Sequence, residues 1–80
     1  MAGTPAAAAC LDGAAQRAAI AAGQVVRPAE VRRAAGGELL DLSLCDEGGR
    51  LVYIAIVLRP DGAVKRVVFD ARSGAAIRGR

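Results

Sequence analysis

Apolar and polar positions follow a helical spacing in the first half of this chain. Segments 11–23 (LDGAAQRAAIAAG) and 28–35 (PAEVRRAA) are rich in alanine, the best helix former; the first ends in a glycine, and a glycine follows the second. Asp12 is suited to cap the first helix, and Pro28 suits the first position of the second. The pattern therefore predicts an N-terminal helix and a short second helix.

From residue 38 the period changes to two, which is typical of strands. Three strands are predicted in LLDLSLC (39–45), RLVYIAIVLR (50–59) and AVKRVVFDA (63–71). In the first, alternation places one set of side chains on one face and a second set on the other: Leu40, Leu42 and Leu44 against Asp41, Ser43 and Cys45. The middle strand is apolar on both faces.

Short turns join these strands, so they pair as an antiparallel meander. The predicted fold class is α+β: an N-terminal helix and a short second helix packed on a three-stranded or four-stranded sheet. Because the middle strand is apolar on both sides, we expect one helix on each face, residues 28–35 on one and 12–22 on the other. Ile54 and Ile56 would then be buried.

The predicted turns carry small polar residues. Asp61 and Gly62 lie in PDG, where glycine can take a positive φ. In VVFDARSGAAI (67–77), Asp70 ends a strand, and its carboxylate can accept hydrogen bonds from N–H groups further along the chain. Gly74 then allows the chain to reverse. We interpret Asp70 as structural rather than catalytic, because no second acid stands in a recognisable relation to it.

Length and charge restrict the function. Eighty residues form one domain, with 1–9 as a flexible N-terminus and 10–80 as the domain. The net charge of +3 comes from basic residues scattered along the chain, and only two residues are aromatic. Neither a basic stripe nor a stacking platform for bases is present in the sequence, so no nucleic-acid partner is expected.

Catalytic chemistry has little support in the sequence. The chain has no histidine and one lysine, so a nucleophile would lack the commonest general base. Two cysteines without histidine do not make a metal site, and no phosphate-binding glycine motif is present. The protein is therefore expected to be no enzyme and to hold no metal or cofactor. Its longest apolar run, eight residues (51–58), is too short to span a membrane.

The two cysteines, Cys10 and Cys45, allow two interpretations. They are either buried free thiols of a cytosolic protein or one disulfide of an exported protein. Their even number favours the disulfide, which would anchor the weak first helix. The segment PAAAAC (5–10) resembles the small-residue end of an export signal whose apolar core has been removed. A periplasmic or secreted location is therefore expected.

The order of elements and four segments resemble the PepSY domain family. The matching segments are LLDLSL (39–44), GGRLVYIAIVL (48–58), PDG (60–62) and VVFDARSG (67–74), within residues 25–77. The Asp-Ala-x-Ser-Gly end is the most specific of these. Departures from the family are the N-terminal helix with Cys10 and the isoleucines on the second face of the middle strand.

The resemblance implies a curved antiparallel sheet packed on a helix, with no catalytic residues. PepSY domains occur in propeptides of thermolysin-like peptidases, in membrane sensors and as small exported proteins, and they bind or restrain partners outside the cytoplasm. The expected function is therefore a binding or regulatory module for a protein partner, either a peptidase, which it would inhibit, or a sensor. The alternative is a structural protein that forms a homodimer through a sheet face or an edge strand.

A free edge strand is the expected contact surface, because its unpaired backbone groups can accept an added strand. Which edge is free depends on where the tail AAIRGR (75–80) lies. Arg72, Arg78 and Arg80 could steer an acidic partner towards the protein at low ionic strength.

Overall fold

The computed structural model describes residues 9–79 of the chain. Five strands and two helices follow in the order β1 Ala9–Cys10, α1 Gly13–Ala21, α2 Pro28–Ala34, β2 Glu38–Glu47, β3 Arg50–Leu58, β4 Val64–Asp70 and β5 Ala76–Gly79. All neighbouring strands are antiparallel, and the sheet has the order β1-β2-β3-β4-β5.

The predicted fold class is wrong in its sheet. We expected a three-stranded or four-stranded meander under an N-terminal helix, whereas the molecule is mostly a five-stranded sheet with two short helices. One extra strand, β1, comes from the segment assigned to a flexible N-terminus, because Ala9 pairs with Asp46. Residues 1–8 of that segment lie outside the described residues. The other extra strand, β5, is the tail, which Gly74 turns back beside β4 (φ 80°).

A β-bulge in β2 changes the predicted alternation. Leu39 is opposite Val57, but Asp41, two residues later, is opposite Ile56, so Leu40 is the extra residue. The bulge places Leu39 with Leu42 and Leu44 on one face, because all three pack in the same apolar cluster. The prediction that Leu40 shares this face is wrong. Its side chain is instead 49% exposed.

Both helices cover the same face of the sheet. The main core joins Ala19 of α1 and Val31 of α2 to side chains of three strands, among them Leu44, Tyr53 and Phe69. The expectation of one helix on each face is therefore wrong. The helices are short and have a single buried side chain each, Ala19 in α1 and Val31 in α2, so together they make one thin layer over one face.

The opposite face, called the outer face here, carries a second small apolar cluster of Cys45, Val52 and Val68, with Ile54 packed against it. Ile54 and Ile56 are half-buried on this face, which corrects the expectation that a helix buries them. Two ion pairs connect side chains of this face. One joins Arg50 to Asp70, and the other joins Arg78 to Glu47.

Local chemistry explains where the helices begin. The Ala15 N–H donates to Asp12 Oδ1 (2.8 Å), which caps α1. Pro28 occupies the first position of α2. The linker between the helices is held to the sheet by the Tyr53 hydroxyl, which donates to the Val26 carbonyl (2.6 Å). Burial raises the pKa of that hydroxyl above its ordinary value.

Candidate functional site at the free edge of the sheet

Strand β1 covers only one end of its neighbour. It has two residues, which pair with Cys45 and Asp46, and the next residue, Leu11, donates its N–H to the Leu44 carbonyl (2.8 Å). Asp12 then caps α1, and the chain leaves the sheet. Within residues 9–79, no strand pairs with β2 on this side over residues 38–43. This stretch is called the β2 edge below.

The direction of the hydrogen bonds identifies the groups available at the β2 edge. The Leu44 carbonyl points towards β1, because Leu11 donates to it. Alternate residues of an antiparallel strand direct their N–H and C=O to the same side. Leu42 therefore directs both groups to the β2 edge, whereas its neighbours Asp41 and Ser43 direct theirs inward to β3. The N–H and C=O of Leu42 are thus a ready pairing point for another strand.

The bulge at Leu40 shapes the side chains along this edge. Glu38 is opposite Leu58 and Asp41 is opposite Ile56, and both of these β3 residues belong to the outer face. Without the extra residue, the two acids would lie on opposite faces of the sheet. With it, both carboxylates stand on the outer face, and both are exposed.

Strand β2 is acidic along its whole length. It contains Glu38, Asp41, Asp46 and Glu47 and no basic residue, although the whole chain has a net charge of +3. Asp46 accepts the Gly49 N–H in the following turn (2.7 Å), and Glu47 forms an ion pair. Among residues 9–79, no ion pair involves Glu38 or Asp41. The β2 edge therefore presents two carboxylates without a cationic partner in the described structure.

The opposite edge of the sheet is short. Strand β5 has four residues, and Arg78 on it forms an ion pair with Glu47 of β2 (Nη2 to Oε2, 2.6 Å). Because β3 and β4 lie between these two strands, this ion pair crosses the outer face. Arg78 is thus engaged within the molecule. Arg72 is exposed beside the turn after β4, and the third arginine expected to steer a partner, Arg80, lies outside the described residues.

The predicted disulfide between Cys10 and Cys45 is confirmed. The S–S distance is 2.05 Å and the Cα–Cα distance is 3.8 Å. Cys45 is fully buried and Cys10 is exposed, and the two residues are direct cross-strand partners. The disulfide fixes β1 on β2 at one end, and so it defines where the β2 edge begins.

Asp70 lies at the end of β4 as a turn residue. Its Oδ1 accepts the N–H groups of Arg72 (2.8 Å) and Ser73 (3.0 Å), and its Oδ2 is 3.2 Å from Nε of Arg50. The N–H of Ser73, then that of Arg72, hold the pKa of Asp70 below its ordinary value of 3.8. Gly74 donates its N–H back to the Asp70 carbonyl (2.8 Å). The contacts of this carboxylate hold the turn and join it to Arg50 of β3.

In the PDG turn, as in the turn at Asp70, an aspartate carboxylate accepts a backbone N–H group. The Ala63 N–H donates to Asp61 Oδ1 (2.9 Å), and Gly62 has a positive φ of 89°, which a residue with a Cβ rarely adopts. Arg59 and Ala63 close the turn through a backbone hydrogen bond of 2.8 Å. This turn sets the β3–β4 register and offers no further chemistry.

Two open hollows lie at the end of the sheet near Asp70. They measure about 440 and 490 Å³, and both are lined by Leu51 and Arg72. Asp70, the acid of the first hollow, is already held by the turn and by Arg50. Among residues 9–79, no three metal-ligating side chains come together, and no helix is long and apolar enough to cross a membrane. The hollows carry no recognisable catalytic arrangement in the described part of the chain.

The comparisons with known proteins give no relative: no family model, no curated protein and no solved structure matches this chain. The resemblance to PepSY domains therefore rests on the motif segments in the sequence alone. The alternation in the sequence predicts one shared face for Leu40 and Leu42, the residues that matter at the β2 edge, and gives no sign that this edge is free. One signal in the sequence could have placed them at an edge: Cys10 is followed within two residues by the helix cap Asp12, so a strand containing Cys10 cannot continue past Leu11.

Proposed function

We propose that this protein is a non-catalytic binding module that works outside the cytoplasm and takes an extended segment of a protein partner on its β2 edge. The observation that carries the proposal is the unpaired stretch of β2, with the N–H and C=O of Leu42 directed outward. Unpaired strand edges bind extended peptides through main-chain hydrogen bonds.

The disulfide and the lack of a membrane-spanning helix in residues 9–79 are compatible with an extracellular or periplasmic location. Disulfides persist in oxidising compartments, and cytosolic thiols are kept reduced. The proposed partner is a peptidase or the outer domain of a membrane sensor, as the resemblance to PepSY domains implies.

Binding to the purified peptidases and sensor ectodomains of the source cell tests the proposal. A partner that binds should slow hydrogen exchange at the Leu42 amide more than at amides of α1 or α2. Leu40→Lys should weaken its affinity about tenfold, because a half-exposed leucine is lost and a charge is added at the contact.

Val64→Lys is the matched control, because Val64 is also an exposed apolar residue of the sheet (59%) but lies on β4. It should leave the affinity unchanged. Protection confined to the helices, or equal losses in both variants, would contradict binding at the β2 edge. Turnover of a substrate that Asp70→Asn abolishes would contradict the non-catalytic function.

A second candidate, self-association, is favoured by one observation. Among residues 9–79, β2 has no partner strand over residues 38–43 and β5 has no second neighbouring strand, so the β2 edge of one copy could pair with the β5 edge of the next. Such head-to-tail pairing gives rings where the rotation between copies closes and filaments where it does not. Sedimentation at rising concentration distinguishes the candidates: a single-chain mass throughout supports the binding module, and a mass that rises above that of one chain supports self-association.

A further inference from the structure

We infer that the segment bound at the β2 edge is a basic strand, in which lysine or arginine side chains alternate with apolar ones. This inference rests on the proposed function and names its partner class. It follows from which face each side chain of the edge occupies and from the charges that the described structure leaves unpaired.

The outer face of the edge selects for positive charge. Glu38 and Asp41 both stand on it, both are exposed, and within residues 9–79 neither has an ion-pair partner. A residue of an added strand directly opposite Asp41 would be in a non-hydrogen-bonded pair, because Asp41 bonds inward to β3. Side chains come closest in such pairs, with Cα atoms about 4.5 Å apart. A lysine or arginine is favoured there, and an acid is disfavoured.

The helix face of the edge selects for apolar side chains. Leu39 and Leu42 are half-buried at the rim of the main core, and an added strand would place alternate side chains beside them. Leu40 adds a further exposed apolar surface at the bulge. A strand with basic side chains on one face and apolar side chains on the other satisfies both faces at once.

A second copy of the chain fits this description less well. Strand β5 (Ala76–Gly79) offers one basic side chain in its described residues, Arg78, and that side chain already pairs with Glu47. Pairing β2 with β2 of another copy would bring acids close to acids. The charge pattern therefore favours a separate basic segment.

The test uses two short peptides with blocked ends, Val-Lys-Val-Lys-Val and Val-Glu-Val-Glu-Val, titrated into the oxidised full chain while amide shifts are followed. The lysine peptide should shift the Leu42 amide and bind at least about fivefold more tightly than the glutamate peptide, which is the effect of one or two cross-strand charge pairs changing sign. The difference should shrink as salt is raised.

The variant Asp41→Lys should reverse the preference between the two peptides. Glu30→Lys, which makes the same charge change on an exposed acid of α2, should leave the preference unchanged. Equal binding of both peptides with the Leu42 amide shifted would overturn the basic-partner inference and leave the proposed function standing. Shifts that map away from β2 with both peptides would contradict the proposed function itself.

Discussion

Tyr53 is the largest fully buried side chain of the molecule's described part, and it carries a polar group into the core. Its hydroxyl donates to the Val26 carbonyl (2.6 Å), and Val26 in turn donates its N–H to the Ala71 carbonyl (2.7 Å). One side chain thereby joins the helix linker, the central strand and the turn after β4. The hydroxyl therefore stabilises the fold rather than binding a partner.

We predict that Tyr53→Phe lowers the free energy of unfolding by about 1–3 kcal/mol, because the Val26 carbonyl loses its donor inside the protein. Urea denaturation at neutral pH measures the change. Phe69→Leu, a conservative change in the same core, is a control that leaves the hydrogen bond in place. An unchanged stability in Tyr53→Phe would show that water replaces the hydroxyl without cost.

Asp70 gives the stability an acid dependence. Its pKa in the folded protein lies below the ordinary value of 3.8, so the unfolded chain takes up the proton first as the pH falls. The stabilisation is complete above the unfolded pKa and is lost as the pH falls through the folded one. We predict a shallower loss of stability below about pH 4 in Asp70→Asn than in the native protein. Urea midpoints measured at several acid pH values test this, with Glu30→Gln as the control. Parallel curves for all three proteins would contradict it.

At the scale of elements, the two faces of β3 differ in how they are covered. Both helices lie on the Tyr53 face, and the outer face has only side chains over it in the described structure. Strand β3 has apolar side chains on both faces. The difference in their burial therefore comes from what packs against each face rather than from the sequence of β3.

We predict that Leu44→Ala, which opens a cavity under the helices, costs about 2–5 kcal/mol. Ile54→Ala should cost about 1 kcal/mol, because Ile54 is half-buried and water can fill the space left on an open face. Chemical denaturation of both variants gives the comparison. A cost for Ile54→Ala equal to that for Leu44→Ala would mean that the outer face is covered in solution.

The elements that local chemistry controls could be predicted from the sequence. Asp12, Pro28, Asp61 and Asp70 act through hydrogen bonds or ring geometry within a few residues, and the structure places Asp61 in a turn and the other three at the end or start of an element. The bulge at Leu40 could not be predicted, because no residue pattern marks it in the sequence. The one extra residue moves the preceding side chains of β2, those of Glu38 and Leu39, to the opposite faces from those that strict alternation gives. Strand β1 has two residues, too few to show a period. The side of the sheet on which α1 packs depends on tertiary contacts, and the alanines of α1 do not indicate it.

At the scale of the whole molecule, the disulfide encloses both helices in one covalent loop, since Cys10 and Cys45 are 35 positions apart. A loop of this size stabilises a protein by about 3.5–4 kcal/mol, chiefly by restricting the unfolded chain. The gain matters because a domain this small buries a limited fraction of its surface.

We predict that reduction of the disulfide lowers the free energy of unfolding by up to about 4 kcal/mol and releases β1 and α1 before the β2–β4 sheet. Hydrogen exchange with and without reductant shows the order of release. In the double variant Cys10→Ser with Cys45→Ala, the reductant should have no effect. Free thiols in protein purified in air, or uniform loss of protection over the whole sheet, would contradict the prediction.

The position of the disulfide also determines how the molecule carries a mechanical load. Tension applied on the N-terminal side of Cys10 passes through the sulfur atoms to Cys45 and enters the sheet at β2, so neither helix is stretched. The enclosed segment cannot be extended, which shortens the fully pulled chain by about 120 Å at about 3.4 Å per residue. Under force, the sheet of the oxidised protein bears the tension and the two helices bear none. Reduction of the disulfide increases the length to which the chain can be extended.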